Sequence, residues 1–326
     1  MQVLLVETLS PDLSGLNLTD LPIPTRQPGE ALIRVHAAGL NFPDLLMTRG
    51  EYQFKLPLPF VAGMELAGEV VEADADGPFP VGARVFGGAR QGCMAEFAAV
   101  DASTLRAIPE GMDYPQAAAL GAAYGTAYTA LVEIGGLKPG QWVLVHGATG
   151  GVGLAACDLA KALGARVIAA TGSPAKLEAL RAACQPDAAI VATGRFREQI
   201  AEITSGALCD LVYDPVGGDV FDESTRCVAF GGKLLVIGFA GGRIAEISTN
   251  IPLIKGFAVV GVRAGEYARR FPTRGAAVRK AVAELAGKGA LYPQIDRVLP
   301  LSRWREGFDA MARREIVGKV VFAPGT

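Results

Sequence analysis

Two rhythms of apolar residues divide the chain. Up to about residue 123, short runs alternate apolar and polar side chains, at 31–37 and 66–72, with further short runs at 84–86 and 95–100. Alternation with a period of two marks a half-buried strand, because successive side chains point to opposite faces. The opening residues 1–7 also read as a strand. Gly39, Pro57, Pro59, Gly63, Gly77, Pro78, Pro80 and Gly82 punctuate this region. Short strands with turn residues at such spacing predict a barrel-like or sandwich domain.

From residue 124 the rhythm changes. Near-continuously apolar strands at 142–146, 166–171, 188–192, 210–214, 233–238 and 257–260 alternate with helices at 151–163, 174–183, 195–204 and 219–229. That pattern predicts a parallel sheet covered on both faces, with right-handed crossovers. The apolar stretch 116–132 is interrupted by Gly121 and Gly125 and is low in bulky aliphatics, so it reads as a buried helix rather than a membrane span. The tail predicts a helix at 275–285, a strand at 297–299, a helix at 302–313 and a closing strand at 317–322 that returns to the first domain. The expected fold class is α/β, with a nucleotide-binding domain (124–263) inserted in a discontinuous β-rich domain (1–123 and 264–326).

The junction of strand 142–146 with helix 151–163 holds Gly147, Gly150, Gly151 and Gly153. Glycines let the backbone turn tightly and approach a pyrophosphate. The helix that follows presents unpaired N–H groups and a partial positive charge. Strand, glycine turn and helix in that order predict a dinucleotide site; without a ligand the same residues are a tight turn of an α/β fold. The next strand ends in Ala169, Ala170 and Thr171. A site for NAD places an acidic residue there to bind the ribose 2′-hydroxyl, and none is present. Ser173 and Lys176 follow instead. A hydroxyl and an ammonium at a helix start suit a 2′-phosphate, so the expected cofactor is NADPH. Ser173 also suits a helix cap, with Pro174 at the first helical position.

The formal net charge is −2 and no long basic run exists, so nucleic-acid binding has no electrostatic support. The five cysteines, Cys93, Cys157, Cys184, Cys209 and Cys227, are scattered without a C-x-x-C pair. A reducing cytoplasm is the expected location, and the opening residues lack the basic region of a signal peptide. The two histidines, His36 and His146, both fall in predicted strands. No G-x-S-x-G, H-E-x-x-H or G-x-x-x-x-G-K-[ST] motif occurs. The expected partner is a small molecule, with no nucleic acid and no membrane.

Three segments carry a family resemblance: 121–131 with Gly121, Gly125 and Thr126; 138–153 with Lys138, Pro139 and Gly140 leading to the glycine turn; and 214–218 with Asp214, Gly217 and Gly218. In this order, behind a β-rich N-terminal region, the chain resembles the medium-chain dehydrogenase/reductase superfamily, and within it the quinone oxidoreductase (zeta-crystallin-like) branch. The resemblance implies a GroES-like catalytic domain, a Rossmann domain, a cofactor in the cleft between them, and a homodimer. The chain departs from the zinc-dependent members. Those carry a cysteine ligand in the segment where this chain has Asn41, a histidine where it has Met64, and a four-cysteine lobe where it has Cys93 alone. A zinc site needs three or four converging ligands, so no metal is expected. Without a Lewis acid to stabilise an alkoxide, the expected reaction is hydride transfer from NADPH to a quinone or an α,β-unsaturated carbonyl. An enoyl-CoA or other enoyl-thioester reductase, using Arg263, Arg269, Arg270 and Arg274 as a basic channel, is the alternative enzyme. A non-catalytic NADPH-binding protein is the alternative of a different class.

Residue by residue, the resemblance implies Gly150, Gly151, Val152 and Gly153 at the pyrophosphate, and Ser173 and Lys176 at the 2′-phosphate. It puts Thr126 near the nicotinamide, and Gly238, Phe239, Ala240 and Val262 along nicotinamide and ribose. Where many relatives add a tyrosine to the phosphate site, the matching position is Thr193, with Arg195 and Arg197 close in sequence. For the substrate pocket and catalysis it implies Asn41, Asp44, Tyr52 and Arg263, with the Tyr52 hydroxyl as a donor to a carbonyl oxygen. Leu46 stands where several relatives have another tyrosine.

Overall fold

Strands with one apolar face bury it by stacking or closing into sheets. The structure, a computed structural model, describes residues 1–325. They form two compact units: Met1–Ala122 together with the C-terminal stretch from Pro293, and Ala123–Tyr292.

In the first unit the strands are β1 (Gln2–Val6), β2 (Leu16–Asp20), β3 (Glu30–Gly39), β4 (Phe60–Val61), β5 (Glu65–Glu72), β6 (Arg84–Gly88), β7 (Phe97–Asp101) and β8 (Arg106–Ala107). β1 pairs antiparallel with β2 and β4. β3 pairs antiparallel with β5 and β7, β5 with β6, and β6 with β8. Ile33, Val35, Leu66, Val70, Val85, Leu105, Phe308 and Phe322 lie in the core between these sheets and the returning tail. Two short helices, α1 (Phe42–Thr48) and α2 (Tyr114–Ala118), complete the N-terminal part.

The stretch 116–132, expected as one buried helix, is three pieces. α2 ends in tight bonds from Ala119 N–H to Gln116 O and Leu120 N–H to Ala117 O. α3 (Gly121–Tyr128) follows, and Thr129–Ile134 closes as a π-helical turn, with Gly135 N–H reaching back five residues to Ala130 O.

The second unit then alternates β9 (Trp142–Val145), α4 (Gly151–Ala162), β10 (Arg166–Thr171), α5 (Leu177–Cys184), β11 (Ala188–Val191), α6 (Arg197–Ile203), β12 (Cys209–Asp214), α7 (Gly218–Ser224), β13 (Val228–Val236), α8 (Asn250–Lys255) and β14 (Ala258–Gly261). All six strands are parallel, in the order β11-β10-β9-β12-β13-β14. The order reverses between β9 and β12, the switch point of a doubly wound sheet. The helix expected over 219–229 stops at Ser224. There the Ser224 and Thr225 hydroxyls donate to the Val220 and Asp222 carbonyls, and hydroxyls that bond nearby backbone compete with the helix ladder.

Two further helices, α9 (Ala264–Arg270) and α10 (Pro272–Gly287), stay with the second unit. The segment 264–292, expected with the first domain, is therefore corrected. Tyr267 donates to Glu133 at 2.8 Å, and the Tyr292 N–H donates at 2.7 Å to Asp158 on α4, a carboxylate that also accepts from Tyr124 at 2.6 Å. Only then does the chain return through β15 (Ile295–Pro300), α11 (Trp304–Ala312) and β16 (Lys319–Ala323). β16 lies between β15 and β3, pairing Val321 with Gly39 and Phe322 with Ala38. No helix among the described residues is long and apolar enough to cross a membrane.

His146, directly after β9, is buried among apolar groups beside Phe196. Its Nε2 lies 2.8 Å from the Ser224 hydroxyl, whose own proton goes to Val220 O. The ring therefore donates from Nε2. Burial pushes its pKa from 6.5 down to about 3. The unfolded chain then binds a proton that the folded one refuses. Stability is complete above about pH 6.5 and declines as the pH falls toward about 3. The difference in urea-unfolding midpoint between the wild type and His146→Gln should change between about pH 7 and about pH 5, in favour of the variant at the lower pH. An unchanged difference would remove His146 as a source of the pH dependence.

Candidate functional site

Parallel strands in register end on the same edge of their sheet. Thr171 pairs with Val191, so β10 and β11 finish level, and Val145 pairs with Ala169, so β9 ends two residues earlier on the same edge. The loops that follow carry most of the residues singled out from sequence. Gly147 to Gly153 follow β9, Ser173 and Lys176 follow β10, and Thr193 follows β11. Gly238, Phe239 and Ala240 follow β13, and Val262 and Arg263 follow β14. The sheet thus brings to one edge eleven of the twelve residues expected at the cofactor. Thr126 lies on α3.

The glycine turn is held by close backbone approach. Gly150 N–H donates to Gly147 O at 2.9 Å, and Ala148 N–H to Ala170 O on β10 at 3.0 Å. Gly147 has φ +55°, a left-handed conformation that favours glycine. A Cβ on Gly153 would lie 2.2 Å from Gly147 O and 2.8 Å from Ala148 Cα. The first turn of α4 can pack on the loop only because that side chain is missing. The first bond inside α4 runs from Leu154 N–H to Gly150 O, so the N–H groups of Gly151, Val152 and Gly153 belong to its open first turn.

After β12 a buried carboxylate fixes the neighbouring loop. Asp214 Oδ1 accepts from the N–H groups of Val216 and Gly217 at 2.8 and 3.0 Å, and Oδ2 is buried without a partner. Burial raises its pKa, against the pull of those two N–H groups. The Pro215 and Val216 carbonyls accept from Ala240 and Gly241, which joins the loops after β12 and β13. Phe239, 40% exposed, presents its ring at this edge.

In the first unit a second constellation is almost fully buried. Asn41 caps α1, and its backbone N–H donates to Asp44 Oδ2 at 2.8 Å. Its amide turns inward. Oδ1 accepts from Lys319 at 2.7 Å, and Nδ2 donates to Glu65 Oε1 at 2.9 Å and to Gly39 O at 3.4 Å. Lys319 Nζ also meets Glu65 Oε1 at 2.6 Å, and Glu65 Oε2 accepts from Ala122 N–H at 2.9 Å. Asp44 Oδ1 is buried with no partner. Burial raises Asp44 from 3.8 to about 7, opposed by the Asn41 N–H, Lys319 and the Gly63 N–H, and reinforced by Glu65. Nearby, burial pushes the Cys93 thiol up to about 12.

Asn41 and Asp44 are therefore together, but the Asn41 amide is spent on Lys319 and Glu65 rather than open to a ligand. Tyr52 is partly buried against the first unit's core. Arg263 belongs to the second unit. Glu65 and Lys319 were not singled out from sequence. The available signal was a lone lysine in the otherwise apolar run 317–322, since a buried lysine requires a partner.

Zinc does not fit this cluster. Both oxygens of Glu65 are engaged, and the ammonium of Lys319 already occupies the place of a cation beside them. Among the described residues no three of His, Cys, Asp and Glu gather as metal ligands.

Comparison with known proteins agrees with this layout. Residues 27–110 match the family described as alcohol dehydrogenase GroES-like domain, and residues 151–281 that described as zinc-binding dehydrogenase. Quinone oxidoreductase-like protein 2 of Bos taurus is 35% identical over 300 residues, 91% of this chain and 86% of that protein. A probable oxidoreductase from Mycobacterium abscessus superposes with a TM-score of 0.90 at 33% identity, covering 99% of each chain. The quinone oxidoreductase of Thermus thermophilus, whose structures include an NADPH complex, gives 0.83 at 32% identity, covering 99% of this chain and 100% of that one.

The charge state of Asp44 has a measurable consequence. Its folded pKa of about 7 exceeds the ordinary 3.8, so the folded state binds the proton more tightly. That contribution is complete below about pH 4 and is lost as the pH rises through about 7. Asp44→Asn, which keeps the shape without the charge, should gain stability over the wild type at about pH 8 relative to pH 5. The expected gap is on the order of a few kcal/mol, read from unfolding midpoints. No gap would mean that the wild-type carboxyl ionises without penalty.

Proposed function

Because the chain belongs to the medium-chain dehydrogenase/reductase superfamily, in its quinone oxidoreductase-like branch, we propose that it is an NADPH-dependent oxidoreductase that reduces a quinone or an α,β-unsaturated carbonyl without a metal ion. The observation that carries this reading is the glycine turn on the switch-point strand, with the open first turn of α4 packed so closely on it that a Cβ on Gly153 would not fit. The NADPH complex of the Thermus thermophilus relative supports it. When bound, NADPH supplies a hydride to an electron-poor acceptor.

The chain's own residues bind, orient and enclose. The N–H groups of Gly151, Val152 and Gly153 hold the pyrophosphate, and Gly150, whose own N–H closes the turn on Gly147 O, lets the backbone come close to it. The Ser173 hydroxyl and Lys176 ammonium hold the 2′-phosphate, where a carboxylate would repel it. Thr193 with Arg195 and Arg197, all exposed after β11, adds polar and cationic groups on the same side. Gly238, Phe239, Ala240 and Val262 shape the nicotinamide end, with Thr126 as a further polar contact. Tyr52 donates to the acceptor's carbonyl oxygen and Arg263 steadies its developing negative charge. Asn41 and Asp44 act from behind, a role that the inward turn of the Asn41 amide supports.

The enoyl-thioester alternative needs unclaimed cations for a phosphate-rich arm. Arg269 and Arg270 are both paired with Glu266, and Arg274 donates to Tyr267, which favours the smaller acceptor. In the same reading the protein is a cytoplasmic homodimer joined along β14. That strand ends the sheet, and Phe230, Leu253 and Ile254 are 88%, 80% and 76% exposed in the same unit.

NADPH and NADH oxidation measured side by side, with 1,4-benzoquinone as acceptor and EDTA present, tests the reading. NADPH-preferring turnover that survives the chelator is expected, and NADH preference would overturn the roles of Ser173 and Lys176. Lys176→Ala should narrow the NADPH preference by about tenfold, the loss of one charge-assisted contact. Gly153→Ala should weaken NADPH binding about tenfold or more, read by cofactor fluorescence, because the loop must shift to admit the methyl.

A further inference from the structure

The cluster around Lys319 contains one ammonium and two carboxyl groups, all buried. Lys319 is 5% exposed, Glu65 3%, Asp44 1% and Asn41 8%. An uncompensated charge at such depth is costly. One ammonium balances one carboxylate, and the geometry says which. Glu65 receives Lys319, the Asn41 amide and the Ala122 N–H, three donors on two oxygens. Asp44 receives the Asn41 N–H on Oδ2, and its Oδ1 is bare. The groups that face Asp44 are Lys319 on β16, Glu65 on β5 and the backbone N–H groups of Asn41 and Gly63. The un-ionised Cys93 thiol is the remaining titratable neighbour.

We propose that Lys319 is a positioning residue for the substrate half of the reaction: its ammonium supplies the cation that a metal would otherwise provide, fixes Glu65 and Asn41, and leaves Asp44 as the carboxyl that carries a proton. The proposal rests on the reductase reading for its kinetic part and on the buried geometry alone for its charge part. Asn41 caps the helix that leads to Tyr52, so its orientation sets where that helix begins. The burial of Asp44 agrees with the assignment, with its pKa of about 7.

Two measurements separate the parts. Infrared difference spectra of the intact protein report a protonated carboxyl directly. The wild type should show a carboxylic-acid band near neutral pH that Asp44→Asn removes. Glu65→Gln leaves one ammonium facing Asp44 alone, so the band should be lost at neutral pH as Asp44 ionises. Lys319→Met should keep the band to higher pH, and Lys319→Arg should restore the wild-type titration. In kinetics with NADPH and 1,4-benzoquinone, Lys319→Met should lower kcat by about tenfold or more, as removal of an orienting partner does, while NADPH affinity read by fluorescence stays unchanged. Should Lys319→Met not fold, the double variant K319M/E65Q removes both charges and should fold with kcat still low.

A band untouched by Asp44→Asn or unchanged in Glu65→Gln would overturn the charge assignment. Wild-type kcat in folded K319M/E65Q would overturn the positioning role. If the wild type itself reduced no quinone, the proposed activity would fall, and the infrared result would still decide the cluster.

Discussion

A parallel strand cannot pair with its predecessor through a tight turn. It needs a crossover, and the crossover returns the chain to the starting edge of the sheet. Six strands in register therefore deliver every outgoing loop to one rim. In this protein that single constraint places the glycine turn, Ser173, Lys176, Thr193, the Gly238 to Ala240 loop and Val262 side by side, though over a hundred residues separate the first from the last. Local chemistry then sharpens the rim. Asp214 pins one loop through two N–H groups, and the missing side chain of Gly153 lets α4 close on Gly147.

Much of this was readable from the chain itself because the signal was local. Period-two alternation marked β3 and β5, and apolar runs between helical stretches marked β9 to β14, where burial on both faces leaves little room for polar side chains. Boundaries were less readable where side chains compete with the backbone. The helix over 219–229 ends early because Ser224 and Thr225 bond their own carbonyls. The stretch 116–132 breaks because tight turns end α2 before Gly121. The edge between the units was misplaced at the C-terminal side. What keeps 264–292 with the second unit is the grip of Glu133 on Tyr267 and of Asp158 on Tyr292, each 134 residues away in sequence. No local pattern carries such information.

The first unit shows the same limit more sharply. Asn41 and Asp44 were picked out by position in a motif, and the structure does join them. The direction of the Asn41 amide depends on Glu65 and Lys319, 24 and 278 residues away. Motif position alone suggested a pocket lining, whereas the hydrogen bonds make Asn41 a strut. A lone lysine in an apolar strand was the trace of this arrangement. Reading it required asking what a cation does in a core, which is a question about partners rather than about period.

The strand that carries Lys319, β16, inserts between β15 and β3. Its partner Glu65 lies 254 residues earlier. During synthesis the early strands emerge, and then the whole second unit, before that lysine leaves the ribosome. Until then Glu65 has no ammonium, and the end of β3 at Ala38 and Gly39 lacks its partner strand on one side. Closing so large a loop is slow relative to forming local structure. The order of events is thus built into the topology: the nucleotide unit can assemble as it is made, and the polar cluster is completed by β16. A chain cut short before residue 319 would keep the glycine turn and lack the buried cation, so a truncated product is left with a bare carboxylate in its core and an unpaired strand edge, the features that mark a polypeptide for disposal.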